Sequence, residues 1–119
     1  MDIESYIVQW LKGQKLRAST RVPNPRPEKD FLTVERFGGG QDNIVIERPR
    51  ISIRCWSDSA ANAAVLANRV KGLIPEIVRG GHVRKVEITA VANDPDETVD
   101  PPHQRYEILL SMTYIPQGT

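Results

Sequence analysis

Apolar and polar positions alternate along this chain with two different periods. Ile3, Tyr6, Ile7, Trp10 and Leu11 recur at intervals of three and four, so residues 2–12 are predicted to form an amphipathic helix. Asp2 and Glu4 lie at its positive end and Lys12 at its negative end, with Gly13 suited to the position just past the last turn. From Leu16 to Val22 the period drops to two: Leu16, Ala18, Thr20 and Val22 alternate with Arg17, Ser19 and Arg21, which predicts a short half-buried strand. Pro23, Pro25 and Pro27 follow at every second residue and predict a stiff, extended connector.

The β-branched and aromatic run Phe31-Leu32-Thr33-Val34-Glu35-Arg36-Phe37 predicts a second strand. Gly38, Gly39, Gly40, Gln41, Asp42 and Asn43 then read as a flexible loop, about 37–43, leading into Ile44-Val45-Ile46-Glu47. Together these predict an extended Gly-rich β-hairpin. Pro49 is expected to mark a bend or an edge position. Beyond it, Ile51, Ile53 and Cys55 alternate with Arg50, Ser52, Arg54 and Trp56 in the cleanest amphipathic strand of the chain. Ser57, Asp58 and Ser59 are N-cap candidates for a long helix over 60–78, with Ala63, Leu66, Ala67, Val70, Leu73, Ile74 and Ile77 on one side and Pro75 near its end. A strand over 83–91 presents Val86, Ile88 and Ala90 on one face. An acidic, proline-punctuated loop, about 93–103, precedes a last strand over 105–115 in which Tyr106, Ile108, Leu110, Met112 and Tyr114 alternate. The predicted order is α-β-β-β-α-β-β in one domain, residues 1–119. Strands that follow one another directly imply an α+β fold, a largely antiparallel sheet with two helices packed on it.

Charge changes the picture little by its sum and more by its distribution. The chain has 119 residues, 26% charged, and a net charge of +1. That balance lacks the basic footprint of an autonomous nucleic-acid binder. No apolar run reaches the ~18 residues of a membrane span, and the acidic start lacks a signal peptide's basic and apolar regions, so no membrane partner is expected. Cys55 is the single cysteine, which suits synthesis in a reducing compartment.

No constellation of catalytic residues stands out, and neither a cofactor nor a metal is expected. The glycine triplet lacks the Lys-Ser/Thr and the helix of a P-loop, and reads as a hairpin tip. Cys55 shares a face with Ile51 and Ile53 and reads as a small buried apolar residue rather than a nucleophile. Asp94, Asp96, Glu97 and Asp100 lack EF-hand spacing and read as a solvated loop. The arginines fall in two groups, Arg17, Arg21 and Arg26, and Arg48, Arg50 and Arg54, each alternating with apolar residues. They line either a solvated sheet face or an interface in which they meet acidic surface, such as the 94–100 loop, on a neighbouring subunit.

One series of residues carries a family resemblance. It runs Val22-Pro23-Asn24-Pro25-Arg26-Pro27, Phe31-Leu32-Thr33-Val34-Glu35-Arg36, Gly38-Gly39-Gly40, Asp42-Asn43, Arg48-Pro49 and Ile51-Ser52-Ile53-Arg54-Cys55-Trp56. The alanine-rich helix and Arg105-Tyr106-Glu107 follow. In this order it resembles the small neck proteins of long-tailed bacteriophages, the tail terminator or tail completion proteins of the head–tail joining region. The resemblance implies a homo-oligomer, a hexameric ring that caps the tail tube, ends its polymerisation and offers the head connector a docking surface. It implies no catalysis. The partners it implies are the major tail tube protein, the head–tail connector or stopper protein, and genomic DNA passing through the lumen without sequence readout. The location it implies is the virion neck, after synthesis in the host cytoplasm. Candidate contact residues are Phe37, Gly38, Gly39, Gly40, Gln41, Asp42, Asn43, Arg48, Arg50 and Arg54. Two alternatives are another connector protein (a stopper or adaptor) and a single-stranded nucleic-acid module using Arg50, Arg54 and Trp56.

Overall fold

In a computed structural model, which describes residues 1–41 and 45–116, the chain forms an α+β fold in the predicted order. Helix α1 (Ile3–Gly13) starts where the Asp2 carboxylate accepts the Ser5 backbone N–H at 2.8 Å. That hydrogen bond holds the Asp2 carboxyl below its ordinary pKa. Strand β1 is only Ala18–Ser19, whereas the alternation predicted seven residues. Its pairing with β2 is parallel, Ala18 beside Leu32 and Ser19 beside Thr33. The proline segment takes the chain away before more pairs can form, since proline has no N–H to donate.

Strands β2 (Phe31–Gln41) and β3 (Glu47–Ser57) form the hairpin. The glycines expected in its flexible tip lie inside β2, paired with β3: Gly38 with Arg50, Gly39 with Pro49, Gly40 with Arg48. Pro49 is neither a bend nor an edge residue. It is buried within β3, and the pairing of β3 with its other neighbour runs Glu47–Tyr114 and resumes at Arg50–Ser111. The missing N–H is thus placed where the ladder is interrupted. The strand expected to begin at Ile44 begins at Glu47; Val45 is an exposed bend residue, and Asp42, Asn43 and Ile44 lie outside the described residues.

Helix α2 (Ala60–Leu73) is capped by Ser59, whose hydroxyl accepts the Asn62 N–H at 3.1 Å. It stops earlier than the predicted 78, because Pro75 cannot donate an α-helical bond. The chain tightens into a 3-10 helix, Ile74–Gly80, which Gly81 closes at φ 83°. Strands β4 (Val83–Asn93) and β5 (Gln104–Tyr114) complete a five-stranded sheet in the order β1-β2-β3-β5-β4, antiparallel apart from β1.

Both helices pack on one face. Leu32, Val34, Ile51, Ile53, Cys55, Ile108 and Leu110 meet Ile7 and Leu11 of α1, Leu66, Ala67 and Val70 of α2, and Ile77 of the 3-10 helix. The strand parity that buries these residues turns the intervening ones to the opposite face, which no helix covers. Extra residues disturb that parity in three places. Phe37 is bulged out of β2, and Arg84 and Thr89 out of β4. The last of these moves Ala90 off the face it was expected to share with Val86 and Ile88, and Ala90 is exposed.

Candidate interaction surface

The uncovered face reads as rows across the strands. At its far end Phe31, Trp56 and Arg105 stand side by side. The Phe31 and Trp56 rings stack with centroids 5.4 Å apart and 9° between planes. The proline segment folds over them, bringing the Arg26 guanidinium 5.5 Å from the Phe31 ring and 5.7 Å from the Trp56 ring. Arg105 lies 4.8 Å from the Trp56 ring centre. The buried indole donates to Thr33 Oγ1 at 3.0 Å. Trp56 is 3% exposed and has no ring face left for a nucleobase, which removes the stacking platform the nucleic-acid alternative needs.

The middle of the face is an ion network. Arg54 lies 3.5 Å from Glu107, 3.7 Å from Asp94 and 3.8 Å from Glu35. Ser52 donates to the same Glu107 carboxylate at 2.6 Å, and Arg105 Nε donates to the Asp94 carbonyl at 2.6 Å. The Arg54 side chain is 34% exposed and its carboxylate distances exceed hydrogen-bond length, so each pair contributes under about 1 kcal/mol. The network joins β2, β3, β5 and the loop after β4. Arg54 shares the face with Arg48 and Arg50, as the alternation predicted, but stands with carboxylates of its own chain, and Asp94 of the acidic loop is engaged there too.

The near end, where β2 passes over to β3, is basic. Arg48, Thr113 and Lys85 lie in one row, Arg50, Ser111 and Glu87 in the next, around a trough of about 280 Å³. Gly40 and Gly38 flank these rows in β2 and put no side chain beside the arginines. The bulged Phe37 is 42% exposed, and Arg50 rests 4.8 Å from its ring centre. Arg48 donates to Thr113 Oγ1 at 3.3 Å. Gly39 has φ 95°, and a Cβ there would collide with the Arg48 carbonyl oxygen. Gln41 is exposed opposite Glu47. The candidates Phe37, Gly38, Gly39, Gly40, Gln41, Arg48 and Arg50 therefore gather on one ribbon, while Asp42 and Asn43 lie outside the described residues.

Two other features bear on chemistry. Burial pushes the Cys55 thiol up to about 12, with the Asp30 charge adding to it, so the sulfur is a protonated core atom. On the helix side, Tyr6, Trp10, His82 and Tyr114 line an apolar cleft of about 480 Å³, closed at one end by the Tyr114 hydroxyl donating to the Met1 carbonyl. Among the described residues, no group of three His, Cys, Asp or Glu side chains converges as metal ligands, and no helix is long and apolar enough to cross a membrane.

Sequence alternation found the arginines but missed their partners. Glu107 and Arg105 became visible only through the β3–β5 register, which sets Arg54 opposite Glu107 and Trp56 opposite Arg105. Opposite charges on two strands were the available signal, but it could be used only once the strands were known to be neighbours. No protein-family model matches the chain, and no curated protein matches it in sequence.

Proposed function

We propose that this protein is a structural component of the neck of a long-tailed bacteriophage. Copies of the chain form a ring, hexameric by the family resemblance, that caps the tail tube, ends its polymerisation and presents the head connector with a docking surface. Genomic DNA passes through the lumen without sequence readout. In this reading the protein is made in the host cytoplasm and ends in the virion.

The observation that carries the reading is the ordered residue series from Val22 to Trp56, and the way it maps onto the fold. Its proline segment covers Phe31 and Trp56, its glycine triplet builds the half of β2 nearest the hairpin turn, and Arg48 and Arg50 are exposed on the face opposite the helices. A protein whose glycine triplet and arginines build an exposed end of a helix-free sheet face is suited to contact other chains. The molecule measures 45 × 25 × 25 Å, an elongated shape that supports side-by-side assembly.

Immunogold labelling of purified virions tests this. Label at the junction of head and tail is expected. Label confined to the head side of the joint assigns the neighbouring connector position instead. Virions without neck label refute the reading.

A further inference from the structure

The two ends of the uncovered face carry opposite charge. At the hairpin end, the described residues lining the trough include Arg50 and Lys85, together with Arg48, which is already engaged with Thr113, and one carboxylate, Glu87. Arg50 is held in place by the Phe37 ring, and Lys85 has no ion-pair partner among the described residues. At the other end, Glu28, Asp58 and Asp100 line a concavity of about 330 Å³, and Glu97 is exposed on the same loop. The one arginine in that concavity, Arg26, is laid over Phe31 and Trp56. Asp58 accepts the Asn62 side-chain amide at 2.7 Å and Asp96 accepts the Thr98 hydroxyl at 2.6 Å. These bonds hold the Asp58 and Asp96 carboxyls below their ordinary pKa.

The chain cannot bring these ends together itself. Asp96 pairs with His103 and Arg50 with Ser111. Eight residues along β5 separate those points, about 26 Å at ~3.3 Å per residue. That exceeds three Debye lengths at physiological salt, about 8 Å each, so attraction within one molecule is screened. Between two molecules the same groups can approach directly.

We infer that the basic trough of Arg48, Arg50 and Lys85 receives the acidic end of a second copy, Glu97 and Asp100 leading, in a head-to-tail contact. This rests on the ring-forming reading and names the surfaces that make the ring. The contact is heterologous: each copy offers a trough at one end and an acidic loop at the other, so it repeats from copy to copy. The central ion network, in which Arg54 and Arg105 meet Glu35, Asp94 and Glu107 of the same chain, separates the two ends. Ser111 and Thr113 between the cations supply hydroxyl donors for the incoming carboxylates.

The test is a charge swap on the full chain, read by sedimentation equilibrium. One variant carries Arg50→Glu and Lys85→Glu, the other Glu97→Lys and Asp100→Lys. All four positions are exposed, and melting curves superimposable on wild type confirm the fold of each variant. Wild type is expected to self-associate at about 25 mM salt and to weaken steeply as salt rises. Each variant alone should associate about a hundredfold more weakly, because like charges face each other. An equimolar mixture of the two should regain wild-type assembly, since each acidic surface again meets a basic one. Association unchanged by either reversal, or a mixture that stays monomeric, overturns the contact. So does a wild type that stays monomeric at low salt and high subunit concentration. Neck label on virions together with a failed swap removes this contact and leaves the neck reading standing; a working swap without neck label does the reverse.

Discussion

Replacing Gly39 with alanine should uncouple the ribbon from the rest of the sheet. Gly39 sits at φ 95°, where a side chain costs about 1–3 kcal/mol in backbone strain. Its new Cβ would collide with the Arg48 carbonyl oxygen and come within 2.8 Å of Pro49 Cα and Arg50 N. All three are backbone atoms of the partner strand, so no side chain can swing away to make room. Relief requires β2 and β3 to separate locally, with the loss of one ladder bond at about 1 kcal/mol. The total is about 2–4 kcal/mol, or about 8–16 °C in melting temperature for a domain of this size. The control is the next residue. A Cβ on Gly40 meets nothing within 4 Å and its φ is unremarkable, so Gly40→Ala should stay within about 0.5 kcal/mol of wild type. Thermal and urea melts measure the global effect. Amide exchange at Arg48 and Arg50 measures the local one, expected to accelerate by about 30- to 1000-fold if the strain is relieved by opening the ribbon. Gly39→Ala matching Gly40→Ala in both measurements would refute the argument.

Three further outcomes follow from the same geometry. Thr33→Val removes the acceptor of the buried Trp56 indole and should cost about 1–3 kcal/mol in urea denaturation, whereas Thr33→Ser keeps the bond and should cost less. Lys15 follows α1 at φ 66°, so Lys15→Gly should stabilise by about 1 kcal/mol, and an unchanged or lower melting temperature counts against it. The Cys55 thiol, raised by burial from 9.0 to about 12, keeps its proton in the folded chain after the unfolded chain has lost it. Its stabilising contribution is therefore complete below pH 9 and lost as pH rises, at about 1.4 kcal/mol per unit until the folded thiol ionises. Tyr114, also raised by burial, acts in the same direction. Cys55→Val should flatten the alkaline limb of a stability–pH curve, and identical limbs for the two proteins would falsify the assignment.

Periodicity alone placed both helices and four of the five strands, because each has an apolar face long enough to mark its period, though it overran α2 by five residues and ended β2 four residues early. It failed where tertiary geometry overrides local preference. Seven alternating residues at 16–22 give only two paired ones, since the prolines beyond leave no room for a ladder. Three glycines lie within a strand because the adjacent β3 supplies the pairing that their own propensity does not, and a residue at φ 95° requires one of them. Pro49 is tolerated inside β3 for a reason that lies in β5. In the candidate surface, Arg48 and Arg50 were legible as one face of an alternating strand. The same alternation placed Arg54 on that face as well, but it could not reveal its partners, because the carboxylates around it come from three other segments of the chain.

The three bulges have a geometric consequence for the whole sheet. β3 and β5 keep one register throughout, while β2 carries one surplus residue relative to β3 and β4 carries two relative to β5. Over the same span the margins are thus about 3 and 7 Å longer than the middle, at ~3.3 Å per residue. A ribbon with surplus length at its borders cannot lie flat; it ruffles, as a leaf does when its rim outgrows its midrib. The long outer strand β4 therefore presents a curved border, a poor template for unlimited strand addition. Growth by edge stacking is discouraged, and finite assembly is left to the faces and ends.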